Sequence, residues 1–93
     1  MRKAGRPMNL DRLGLDRLEA IIGGLQAHPR RYALKLFPNR PHHYVRTANL
    51  LALYAIDLLT ARRYRAQGHH RDARKVQERC RAIYGKLPEY ARW

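Results

Sequence analysis

The ten-residue run from Leu50 to Leu59, interrupted only at Asp57, most constrains what this chain can fold into. It lies inside a helix read from Pro41 to Gln67. From Ala48 to Leu59 that helix is apolar around nearly its whole circumference, so other helices must cover it on several sides. Crossing a bilayer takes about 20 apolar residues, so the run is a core helix and no transmembrane segment is expected. Asp57 is the exception within it. A carboxylate buried alone is costly, so it either pairs with a cation, Arg74 or Arg81 of the next helix being candidates, or faces water on the one open side.

The flanking sequence supplies the covering helices. Leu10, Leu13, Leu18, Ile21, Ile22 and Leu25 recur at spacings of three and four, which predicts a first helix from Leu10 to Ala27 with Asn9 as its cap. Gly14, Gly23 and Gly24 weaken it by about 1 kcal/mol each relative to Ala. Gly23-Gly24 marks either a kink or a close approach by another helix. Pro29 opens a short second helix with Tyr32, Ala33, Leu36 and Phe37 inward, and Pro38 ends it. Gly68 breaks the third helix. A fourth runs from Arg71 to Tyr84, with Ala73, Val76, Cys80, Ile83 and Tyr84 in one stripe. Gly85 is read as the residue just past its end, Leu87 as packing back and Pro88 as the stop. The aromatic tail Glu89–Trp93 should fold onto the core. The expected architecture is all-α: a small bundle of three main helices plus one short helix. Residues 1–8 form a basic N-terminal arm and 9–93 a single helical domain.

Charge then bounds the partner. The 93 residues carry 20 Lys and Arg against 7 Asp and Glu, a net charge of +13. A charge magnitude of roughly 2–8 suffices for solubility, and a larger excess repels itself until a polyanion cancels it. Eight cations fall within 20 residues: Arg62, Arg63, Arg65, Arg71, Arg74, Lys75, Arg79 and Arg81, with only Asp72 and Glu78 against them. They span the end of the third helix, the loop and the outer face of the fourth. Such a face suits a phosphate backbone. Sixteen of the 20 basic residues are Arg, whose planar fork binds phosphate at two points, although a G+C-rich genome yields the same bias. The expected partner is RNA or DNA, as in a structural subunit of a ribonucleoprotein. The alternative is a small subunit docking on an acidic protein surface.

Other chemistry finds little support. One cysteine, Cys80, excludes an intrachain disulfide and fits a reducing, cytoplasmic compartment. The basic start of the chain leads into no apolar segment of a secretory signal. His42-His43 and His69-His70 sit at opposite ends of the third helix, about 40 Å apart, so they cannot share an ion. Only His28 could meet His42 or His43, and no metal or other cofactor is expected. Acids are scattered and no nucleophile–base spacing occurs, so the chain reads as non-catalytic. Arg65 and His70 have the arginine-x4-histidine spacing of helical ribonucleases of the HEPN type, which counts only if the two side chains converge. A helix-turn-helix would expose His42, His43, Arg46, Thr47 and Asn49 to a groove, but its recognition helix would run into the apolar core.

Two stretches resemble known families. Tyr64, Gly68, Ala73 and Pro88 resemble a single tetratricopeptide hairpin, of which a solenoid needs several. Leu53-Tyr54, Leu58-Leu59 and Arg62-Arg63-Tyr64 are similar to the opening helix of LYR-motif proteins, which are small basic helical subunits and assembly factors. That motif's arginine is Ala55 here, and the chain that follows is too short to complete the LYR bundle.

Overall fold

The computed structural model describes residues 9–36 and 44–93. The N-terminal arm, Phe37, the turn at 38–40, Pro41, His42 and His43 lie outside the described residues. Four α-helices follow in order: α1 (Leu15–Ala27), α2 (Pro29–Leu36), α3 (Tyr44–Ala66) and α4 (His70–Lys86). Short 3₁₀ turns stand before them at Leu10–Arg12 and after them at Glu89–Ala91. The described residues are all-α, as the periodicity predicts. Helix α3 is the axis, with α1, α2 and α4 packed around it. Leu18, Ile21 and Leu25 of α1 meet Ala48, Leu51, Ala55 and Leu59 of α3 and Cys80 of α4 in one core.

The first helix differs from its expected form. It is split at Leu13-Gly14, both extended, so only Leu15–Ala27 is α-helical. Arg62 of α3 supplies the reason. Its guanidinium donates to the carbonyls of Leu13 and Asp11, which in an unbroken helix would serve the amides four residues on. The cost of Gly14 in a helix interior favours the break. Asn9 does act as a cap, accepting from the Asp11 amide at 3.0 Å, but for the 3₁₀ turn.

The adjacent glycines part company. A methyl group on Gly24 would lie 2.5 Å from the Tyr32 ring, so Gly24 is where α2 comes in close; Gly23 has open space. Gly68 ends α3 at φ +84°. The His69 amide donates to Tyr64 O at 2.8 Å and the Gly68 amide to Arg65 O at 3.1 Å, which satisfies these two carbonyls of the last turn.

Helix α4 is longer than expected. Gly85 lies within it and not beyond it, and the helix runs to Lys86. Pro88 sets the end by holding the preceding Leu87 extended (φ −67°, ψ 143°). Arg92 reaches back to cap the terminus, with Nε 3.0 Å from Leu87 O and Nη2 2.9 Å from Gly85 O. Leu87 and Ala91 are buried in the core, and the C-terminal segment folds onto it.

The apolar run of α3 is enclosed on three sides only. Leu53 is 51% exposed. Leu58 is half-buried and faces a cavity. Asp57, expected either to pair with Arg74 or Arg81 or to face water, does neither. It is buried, and Arg79 covers it at 3.0 Å. Five residues along a helix is a turn of about 140°, so the edge of α4 that carries Arg79 toward Asp57 points Arg74 elsewhere. Arg81 sits on the opposite edge from Arg79 and lines the cavity.

Candidate nucleic-acid interface

The eight predicted cations divide into two groups. Four are held within the fold. Arg62 binds the Leu13 and Asp11 carbonyls, and Arg63 pairs with Glu19 of α1. Arg65 Nη2 donates to Gln77 Oε1 across the α3–α4 hairpin at 2.7 Å. Arg79 forks onto Asp57. That contact raises the basicity of the Arg79 guanidinium further, through the hydrogen bond first and the charge of Asp57 second.

The other four, Arg71, Arg74, Lys75 and Arg81, are exposed and make no ion pair or hydrogen bond with any described residue. Their placement follows from the period of α4. Ala73, Val76 and Cys80 fill the buried side, which turns positions 71, 74 and 75 outward. Lys86 is exposed on the same outer side. Glu78 lies among them and forms no ion pair with a described residue. The result is a helix face with fixed backbone geometry on which these cations outnumber one carboxylate, Glu78, and form no ion pair with it.

Two other readings lose ground. Thr47 is buried, and its hydroxyl shares a 2.8 Å hydrogen bond with Tyr90, so it cannot read a base from a groove. Arg46 and Asn49 are exposed, while His42 and His43 lie outside the described residues. Arg65 donates to Gln77, and no hydrogen bond joins it to His70. Among the described residues, no three His, Cys, Asp or Glu side chains are grouped to hold a metal ion. No described helix is long and apolar enough to cross a membrane. Cys80 is buried, donates weakly to Tyr54 O at 3.4 Å, and has its thiol pushed up to about 12, chiefly by burial.

No family model, curated protein or solved structure matches the chain. The site therefore rests on its own geometry.

Sequence reasoning missed an aromatic assembly beside this face. Tyr54, Tyr84 and Trp93 meet edge to face, with ring centres 5.0 Å (Tyr54–Trp93) and 4.9 Å (Tyr84–Trp93) apart. Trp93 Nε1 donates to Asp11 Oδ2 at 2.9 Å, and the Tyr54 hydroxyl donates to Oδ1 at 2.5 Å. The Tyr54 hydroxyl is held protonated by burial and by Asp11. The sequence places Tyr84 on the inner stripe of α4 and Trp93 on the core with the tail, with nothing to tie Trp93 to Asp11, 82 residues earlier.

Proposed function

We propose that this protein binds RNA or DNA without catalysis, through the phosphate backbone, on the outer face of α4. One observation carries the reading: Arg71, Arg74, Lys75 and Arg81 crowd one helix face with only Glu78 among them, and none forms an ion pair with a described residue. Four guanidinium or ammonium groups held apart by a rigid helix match a row of phosphates, and releasing counterions from that row would drive association. Phosphate contacts of this kind set position and carry little sequence information. A ribonucleoprotein subunit in a cytoplasmic setting fits this chemistry and the single buried thiol.

The test is a titration of one fluorescent duplex at several salt concentrations. With four of the eight clustered cations already bonded to other groups of the protein, the remaining four would neutralise about four phosphates. The expected slope of log K against log salt is about −3 to −4 on duplex DNA, and shallower on single strands. Scrambled sequences should bind with similar affinity. Binding that persists unchanged at high salt would reject the reading. The alternative is a small subunit docking on an acidic protein surface, for which a contiguous exposed apolar patch beside the basic face would speak.

A further inference from the structure

A cavity of about 450 Å³ opens between the C-terminal halves of α3 and α4, the 3₁₀ turn at Leu10–Arg12 and the C-terminal segment. Its volume lies in the range of small-molecule sites. Arg62, Arg65 and Arg81 line it together with Asp11, Tyr84 and Trp93. Its walls combine two chemistries that seldom share one small ligand: a fixed aromatic surface and three guanidinium groups against one carboxylate.

The aromatic wall is built before any ligand arrives. Trp93 is wedged by Tyr54 and Tyr84, and its Nε1 is tied to Asp11. The indole is half-buried and lines the cavity. A ring already fixed in place stacks on a ligand with little further loss of freedom. The Asp11 carboxylate is spent on the wall, since both of its oxygens accept hydrogen bonds from Tyr54 and Trp93.

The cations are graded in availability. Arg62 is locked on two carbonyls and contributes charge alone. Arg65 is held by a neutral amide, Gln77, which an anion would outcompete because charge-assisted hydrogen bonds are about twice as strong. Arg81 has no partner among the described residues. An apolar ligand would desolvate these groups without compensation. Inorganic phosphate would leave the indole unused. A ligand with a π face and an anionic group satisfies both walls.

We propose that this cavity takes one nucleotide, its base against Trp93 and its phosphate on Arg81 and Arg65. The nucleotide is either a free monophosphate or an unpaired residue of a strand lying on α4. The strand form rests on the proposed function above; the free form does not. Stacking of this kind tolerates any base.

Trp93 is the chain's single tryptophan, so its fluorescence reports on this cavity directly. The intact protein is titrated with adenosine monophosphate, with inorganic phosphate and with a short single-stranded oligoadenylate. Saturable quenching is expected from the monophosphate or the strand, and none from phosphate. Arg81→Gln, an exposed substitution whose fold is checked by circular dichroism, should weaken the quenching ligand at least tenfold. Quenching by the strand alone assigns an unpaired nucleotide; quenching by the monophosphate, retained when Arg71, Arg74 and Lys75 are all changed to Glu, assigns a free one. No saturable quenching by either ligand, or quenching indifferent to Arg81→Gln, overturns the proposal. A strand that binds with no change in Trp93 emission overturns it while leaving the α4 backbone face intact.

Discussion

Arg79 of α4 grips Asp57 of α3 at two points, Nε 3.1 Å from Oδ2 and Nη2 3.0 Å from Oδ1. The carboxylate is buried while the guanidinium reaches in from solvent. The two partners are therefore unequal. Losing the cation strands a desolvated charge, whereas losing the charge on Asp57 releases an arginine into water. Arg79→Ala should lower the melting temperature clearly more than Arg71→Ala on the same helix. Adding Asp57→Asn to Arg79→Ala should recover part of the loss. Thermal melts of the three variants and the parent decide it, and equal melting temperatures for Arg79→Ala and Arg71→Ala would refute the pairing.

Burial along the apolar stripes predicts two contrasting truncations. Leu18 is fully enclosed between α1 and α3, and Leu18→Ala should cost about 2–5 kcal/mol. Leu53→Ala, on the open side of α3, should stay within about 0.5 kcal/mol. Urea unfolding monitored by circular dichroism measures both.

The two adjacent glycines should respond with opposite sign. Gly23→Ala meets nothing and gains helix propensity, so it should stabilise by up to about 1 kcal/mol. Gly24→Ala would push its methyl into the Tyr32 ring and should destabilise, with a changed Tyr32 environment visible by NMR. A stabilised Gly24→Ala variant would show that α2 does not rest on α1 there.

Cys80 gives the fold an alkaline limit. Burial, then the charges of Asp57 and Asp11, push its thiol from an ordinary value near 9 up to about 12. The folded state thus holds this proton more tightly than the unfolded chain does. The contribution is complete below about pH 9 and is lost as pH rises toward 12. Cys80→Ala should flatten the fall of stability from pH 9 to 10. Above pH 10 the raised Tyr54 hydroxyl should keep part of the slope. At neutral pH the native thiol should resist alkylation and react only on unfolding.

The α4 face is tested by reversing its charge. Changing Arg71, Arg74 and Lys75 to Glu together should abolish measurable strand binding and leave helicity unchanged, because all three side chains face solvent. Undiminished affinity would place the interface elsewhere.

Local rules within about four residues of sequence determined much of this protein. The spacing of Leu18, Ile21 and Leu25, the apolar run of α3, the stop at Gly68 and the stripe of Ala73, Val76 and Cys80 all express one helical period or one backbone preference. They fixed the all-α class, the central role of α3 and the outward face of α4. Tertiary structure alone decided which cation serves which purpose. Arg79 and not Arg74 or Arg81 meets Asp57, Arg62 breaks the first helix at Leu13-Gly14, and Trp93 finds Asp11 across 82 residues. Such pairings depend on how each helix is rotated about its axis and how far it is shifted along its neighbour. A change of one residue in that register swings a side chain by about 100°, and nothing in the local sequence encodes it.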